Sequence, residues 1–308
     1  SGLKRFGTFG SYRGDSHSNV NFGVSPNHLD GNLVVTGTEN QNIIQVLSPK
    51  VDNSNRDSWF MLYGDGTLKA WGRNYYSLFG QGGENSDNIV TLPFTATATS
   101  AGKKIIKIAA GRYHLMVLLA NGRILCSGRN NYGQLGIGNT SDQNSPQYVN
   151  TFSGSSDEYF AVDINCTGYA SFAVTKDGKL WSWGDGTAES RLSRSGSTTS
   201  PGKVRINSSS GAELANVARW SIDCSKDENV LACDYQNVLV LLQDGNLYAF
   251  KMNYGALGNG NTWTRDYATL INLSSVTPAI TGIKSIFGNS GHDFSLLFLI
   301  SNENKLYS

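Results

Sequence analysis

Apolar residues fall in short runs bounded by Gly, Asn and Asp, and no window of a dozen residues carries an i, i+3, i+4, i+7 stripe. That pattern predicts strands joined by turns, and no helix. Strands are expected at residues 59–63, 115–119, 172–175, 238–242 and 294–300. After the first comes Asp65-Gly66-Thr67-Leu68-Lys69-Ala70-Trp71-Gly72. The same pattern returns at Asn121-Gly122, Asp177-Gly178 and Asp244-Gly245, and again at Glu303-Asn304-Lys305-Leu306-Tyr307-Ser308, in steps of 56, 56, 67 and 59 residues. The Asp-Gly or Asn-Gly pair suits a two-residue hairpin turn with both central residues at positive φ. In the strand that follows, Leu68, Ala70 and Gly72 share one face, and Lys69 and Trp71 the other. Its third position is small in every copy (Ala70, Cys126, Ser182, Ala249, Ser308), which implies close approach of another layer.

A further strand precedes each pair, at residues 43–46, 105–108, 161–164 and 283–286, with a loose match near 220–222. Three or four strands per unit cannot bury both faces of one sheet. Repeated about an axis they can, which is the logic of propeller blades. The blade-start strands read as small and apolar, whereas a hydrolytic centre in the funnel would need paired carboxylates there.

In the second unit, Gly111-Arg112-Tyr113-His114 leads through Leu119-Ala120-Asn121-Gly122 and Ser127-Gly128-Arg129-Asn130-Asn131-Tyr132 to Gly133-Gln134-Leu135-Gly136-Ile137-Gly138 and Ser145-Pro146-Gln147-Tyr148-Val149. This stretch resembles one complete repeat of the family of the regulator of chromosome condensation, the RCC1-type repeat. Weaker copies are Tyr76-Ser77-Leu78-Phe79-Gly80, Tyr254-Gly255-Ala256-Leu257-Gly258-Asn259-Gly260 and Gly291-His292, so the resemblance runs from Ile43 to Ser308. It implies an all-β propeller of RCC1-like four-stranded blades. The expectation is a single domain over residues 1–308 with five to seven blades, either a ring smaller than seven or an incomplete ring in a piece of a longer protein. Residues 1–42 would be a degenerate first blade. The third unit departs from the repeat, with Gly184-Asp185-Gly186 and Arg191-Leu192-Ser193 in place of the G-Q-L-G run. Long steps and Ser/Asn/Thr-rich loops look less like the nuclear exchange factor than like diverged bacterial or viral relatives.

Composition narrows the chemistry. Lys+Arg number 25 against 24 Asp+Glu, a net charge of +1 with 16% charged residues, which implies no nucleic-acid partner. Hydrophobic residues make up 39% and aromatics 11%, enough for a large core. The longest apolar run, near 296–300, is too short for membrane insertion. No basic-then-apolar leader is visible, and Ser1-Gly2 is the opening of a processed, tagged or excised chain. Cys126, Cys166, Cys224 and Cys233 form no C-x-x-C pair and the four histidines are scattered, so neither metal nor cofactor is expected. The cysteines read as buried thiols, although pairing in two disulfides stays open.

No catalytic residue is expected. His114 and His292 sit at matching repeat positions, which favours packing and hydrogen bonding. Arg13-Gly14-Asp15 spells an adhesion tripeptide that chance also supplies. The candidate ligand-binding residues lie in equivalent loops: Arg73, Tyr75, Tyr76, Arg129, Tyr132 and Tyr254, joined by Trp263 from an irregular one. Tyr and Arg there would anchor a protein or glycan, or else staple one blade to the next. Loops 153–158, 186–205 and 261–265 depart from the repeat and are further candidates. The chain is expected to be a non-enzymatic module that binds a protein or cell-surface glycan within a larger complex. Its expected setting is extracellular or on a virion, as a phage tail component or bacterial adhesin. The alternative is a cytoplasmic guanine-nucleotide exchange regulator of a small GTPase.

Overall fold

Strands pair in chain order, each unit forming an antiparallel meander. The computed structural model describes residues 43–49, 58–83, 86–185, 192–217, 231–233, 237–251, 265–271, 283–289, 296–303 and 305–307. The first sheet is β1 (Ile43–Leu47), β2 (Ser58–Tyr63), β3 (Leu68–Gly72) and β4 (Ser86–Thr91). The second is β5 (Ile105–Ala110), β6 (His114–Leu119), β7 (Ile124–Gly128) and β8 (Gln143–Tyr148). The third is β9 (Ala161–Cys166), β10 (Ala170–Thr175), β11 (Leu180–Gly184) and the short β12 (Gly202–Lys203). The fourth is β13 (Leu231–Cys233), β14 (Asn237–Leu241), β15 (Leu247–Lys251) and β16 (Arg265–Leu270). The fifth shows β17 (Ile283–Asn289), β18 (Leu296–Ser301) and β19 (Leu306–Tyr307). First strands neighbour one another in sequence: β1 beside β5, β5 beside β9, β9 beside β13, β13 beside β17. These are propeller blades about an axis, and the described residues do not close them into a ring. The proposed degenerate blade in residues 1–42, with Arg13-Gly14-Asp15, lies outside the described residues.

The core lies between blades. Phe60, Leu62, Leu68 and Ala70 of the first blade pack with Ile108, Leu115, Val117 and Leu125 of the second. The opposite face of the second blade (Met116, Ile124, Cys126) meets Ile164, Trp181 and Trp183 of the third. Phe172, Val174 and Leu180 then meet Val238, Val240 and Phe250 of the fourth. Each strand face thus serves a different interface, as the alternation of Leu68 and Ala70 against Trp71 requires. Fully burying one such side chain stabilises by roughly 1.5–3 kcal/mol. Outer strands carry the polar residues, and β8 holds Pro146 at the sheet edge, where the missing N–H breaks no ladder.

The small slot admits a carbonyl. Cys126 Sγ reaches the Leu135 oxygen at 3.3 Å, and Ser182 Oγ donates to the Leu192 oxygen at 2.6 Å. Cys126 and Cys166 are free and buried, and burial pushes both thiols upward.

Three expectations need correction. The Asp-Gly turns are not two-residue turns with paired positive φ. Gly66 donates to the Tyr63 carbonyl and Tyr63 N–H to the Thr67 carbonyl, and Gly66 (φ 94°) is left-handed while Asp65 is not. This is a type I turn closed by a glycine bulge, and the same two bonds recur at Gly122, Gly178 and Gly245. Asp65 instead caps the turn, accepting from Thr67 N–H at 2.7 Å. A helix does exist: α1 (Pro93–Ser100), a PFTATATS segment with proline in its first turn and only Phe94 and Ala98 buried. One i, i+4 pair is too little for a periodicity search to find. Finally, the stretch expected as loop 186–205 contains the strand β12.

Nor are the blade starts only small and apolar. Lys107 and Asp163, at matching positions of β5 and β9, form an ion pair between adjacent blades, with Asp163 buried. At the same position of β1, Gln45 brackets Ile108, its Nε2 donating to the carbonyl at 2.8 Å and its Oε1 accepting from the N–H at 2.9 Å. All three follow a register slip: Ile43 pairs Tyr63 but Gln45 pairs Leu62, and β5, β9 and β17 repeat it. The fourth blade stretches that slip. Val217 bridges Leu242 as Ile105 pairs Leu119, and Leu231 pairs Val240 as Ile108 pairs Val117. Thirteen residues lie between Val217 and Leu231 against two between Ile105 and Ile108, and this difference of 11 is the difference between the 67- and 56-residue steps. The first strand of the fourth blade is therefore completed by β13, and residues 220–222 lie outside the described residues.

Candidate functional site

Antiparallel order puts every second connection at the same end of the sheets. The loops leaving β3 and β7 and the β5–β6 and β9–β10 turns share one end, and the Asp-Gly turns occupy the other. At the loop end, one asparagine organises the long loop in each of the first two units. Asn130 Oδ1 accepts from Leu135 N–H at 2.9 Å while its Nδ2 donates to the Asn139 and Ser141 carbonyls at 2.9 and 3.1 Å. Asn74 does the same for Phe79, Gln81 and Gly83. The third unit has Gly186 at that position. There Arg194 holds the loop from its far side, donating to the carbonyls of Ser182, Ser195, Ser197 and Ser200. Burial lowers its pKa to about 10.

These loops set out alternating tyrosines and arginines. Tyr76 meets Tyr113 edge-on at 5.0 Å, and Arg129 lies over both rings, at 4.7 and 5.6 Å. Arg112 lies over Tyr113 and Tyr169 at 5.2 and 5.6 Å and donates to the Tyr169 hydroxyl at 2.6 Å. Tyr132 meets Tyr169 at 5.3 Å. The row Tyr76–Arg129–Tyr113–Arg112–Tyr169–Tyr132 crosses three blades. Its members staple neighbouring blades and also form a surface, since Tyr76 is 44% exposed. Tyr76 and Ser77 hold left-handed backbones (φ 54° and 59°), a conformation that costs about 1–3 kcal/mol per residue and clusters at functional sites. In the second unit a glycine, Gly133, takes that strain (φ 77°).

Of the residues singled out from sequence, Tyr76, Arg129 and Tyr132 are brought into this row. Arg73 and Tyr75 sit in the same loop as Tyr76 and are half-buried. Tyr254 and Trp263 lie outside the described residues, as does His292. Sequence reasoning missed Arg112, Tyr113 and Tyr169. The signal was available, since Tyr113 and Tyr169 are separated by the repeat step of 56 residues. Loop 153–158 belongs to the opposite end, where Glu158 pairs with Lys203 at 2.7 Å and Glu213 with Lys179 at 3.1 Å. Burial alone would raise the Glu213 pKa, but Lys179 and Lys203 outweigh it and hold the carboxyl below its ordinary range.

A histidine–serine pair is sealed inside. His114 Nε2 lies 2.9 Å from Ser171 Oγ, which donates to the Gln134 carbonyl at 2.8 Å. Both residues are fully buried, and burial lowers the His114 pKa to about 3. The pair links two blades through a neutral imidazole. Among the described residues, no helix is long and apolar enough to cross a membrane.

Residues 65–118 and 121–174 match the family model described as the regulator of chromosome condensation (RCC1) repeat. Residues 105–134 and 161–188 match a second model with that description. The chain is 28% identical over 239 residues to the ultraviolet-B receptor UVR8 of Arabidopsis thaliana, covering 77% of this chain and 47% of the receptor. It is 26% identical over 230 residues to the human E3 ubiquitin-protein ligase HERC2, covering 74% of this chain and 4% of the ligase. The crystal structure of human WBSCR16 aligns with a TM-score of 0.65 at 16% identity, over 86% of this chain and 61% of that one, a likeness of fold. The chain therefore spans about half the length of the plant receptor and a small part of the ligase.

Proposed function

Since the chain belongs to the RCC1-repeat β-propellers, binding modules built from repeated blades, we propose that it binds another protein through its loop end and performs no chemistry of its own. The observation that carries this reading is the six-residue tyrosine–arginine row across three blades, with Tyr76 exposed and held in a left-handed backbone. Tyrosine and arginine are the side chains that dominate protein contact surfaces, because they combine large area with few rotors and directional hydrogen bonds. A protein fits better than a glycan. Sugars stack on open ring faces, and here arginines cover tyrosine rings while other tyrosines meet edge to face. The low charge and Ser/Thr/Asn-rich loops extend the reading to an exposed setting, on a virion or cell surface.

The test is a screen of the intact chain against a protein panel that includes small GTPases, a glycan array and whole cells. The reading expects a protein ligand whose binding falls with Arg112→Gln and Tyr132→Ala. Binding to glycans alone would overturn it. Accelerated release of a fluorescent nucleotide from a GTPase would replace it with an exchange function.

A further inference from the structure

Two arginines at the loop end spend their donors inside the protein. Arg112 gives one to the Tyr169 hydroxyl, and Arg194 satisfies four carbonyls. Arg129 is different. Among the described residues its guanidinium meets only ring faces, those of Tyr76 and Tyr113, and no carboxylate or carbonyl. A guanidinium held by its faces keeps its in-plane N–H edge for a ligand, and two parallel N–H bonds match the two oxygens of a carboxylate. Stacking also fixes the group before the ligand arrives, so less side-chain freedom is lost on binding.

The position recurs. Arg73 opens the first blade's loop as Arg129 opens the second's (Arg73-Asn74, Arg129-Asn130), and its guanidinium also has no charge partner among the described residues. The third blade reverses the sign, with Asp185 following Gly184 and its N–H bonded to the Tyr169 carbonyl as Arg129 N–H is to Tyr113.

We infer that Arg129 forms a subsite for an Asp or Glu side chain of a bound protein segment. The inference rests on the loop end being the contact face and adds the chemistry of the partner. An acidic segment lying along the row would set a carboxylate on Arg129 and its apolar parts on Tyr76 and Tyr132.

The experiment selects a random-peptide display library on the immobilised intact chain and measures chosen peptides in solution. Expected are peptides enriched in Asp and Glu that bind about tenfold more weakly to Arg129→Gln, and that lose affinity as ionic strength rises. Replacing the peptide's own Asp and Glu by Asn and Gln must weaken binding equally, which tests the subsite without touching the fold of the chain. Peptides with no acidic enrichment that still lose binding with Tyr132→Ala would overturn the subsite and leave the contact face standing. Peptides indifferent to both variants, or none selected, would overturn both.

Discussion

Ser193 Oγ accepts the Ala268 N–H at 2.7 Å, joining residues 75 positions apart in the third and fourth blades. The same hydroxyl donates to the Arg205 carbonyl at 2.8 Å, and Ser193 is fully buried in a left-handed backbone (φ 53°). The corresponding residues of the first two units are Gly80 and Gly136, also left-handed (φ 69° and 68°). There a Cβ would strike an aromatic ring, 2.7 Å from Phe94 or Trp183. In the third unit the space admits a hydroxymethyl group, which became a clasp.

Ser193→Ala should therefore lower stability by about 0.5–1.5 kcal/mol, because it removes the clasp, leaves the Ala268 N–H only its longer bond to the Arg205 carbonyl (3.3 Å), and keeps the unfavourable φ. Ser193→Gly loses the same clasp but relieves the φ, so it should be the more stable of the two variants. Urea unfolding of both variants measures this. A Ser193→Ala chain as stable as the parent would show that the clasp carries no weight.

His114 predicts an acid limb in the stability curve. Its folded-state pKa is about 3 against an ordinary 6.5, since burial disfavours the imidazolium. Above pH 6.5 neither state binds the proton, and the residue contributes no pH dependence. Below it the unfolded chain takes a proton that the folded chain refuses. Stability should fall by roughly 1.4 kcal/mol per pH unit from 6.5 towards 3. Chemical unfolding from pH 7.5 to 4 for the parent and His114→Gln reads the difference, and parallel curves would remove His114 as its source.

Removing one partner of the axial ion pair leaves the other stranded. Lys107→Met should destabilise by about 3–5 kcal/mol, since Asp163 is buried and loses its compensating charge. The double variant Lys107→Met, Asp163→Leu should recover much of that loss. Thermal unfolding of both tests it, and a single variant within about 0.5 kcal/mol of the parent would deny the pair its role.

Asn130→Ala should open the β7–β8 loop. It leaves Leu135 N–H unsatisfied in the interior and frees the Asn139 and Ser141 carbonyls, a loss of about 1–3 kcal/mol. Amide exchange of Leu135 should accelerate while that of β6 stays slow. Unchanged protection at Leu135 would mean that the loop is held by other means.

Blade identity was legible because it depends on short-range signals: apolar runs at 115–119 and 172–175, an Asp-Gly or Asn-Gly turn after each, and a fixed step. The small slot was legible as a constraint, but its occupant, the carbonyl of Leu135 or Leu192, comes from a loop whose path no local pattern reveals. The turn geometry was misjudged because Asp-Gly fits both a paired left-handed turn and a glycine bulge, and the register of Tyr63 with Thr67 decides between them. Half of the tyrosine–arginine row was found from the loops after β3 and β7. Tyr113 and Tyr169 escaped because tight turns between strands look like connectors, and only the antiparallel order brings them to the same end as Tyr76 and Tyr132.

Where the first strand of each blade skips a rung, chain length is uncoupled from alignment. Residues entering at that skip displace neither the rungs before it nor those after, as the intact pairings of Val217 and Leu231 on either side of eleven added residues demonstrate. A repeat can therefore lengthen at that rung without shifting the strands that follow it or the blade faces they present to their neighbours.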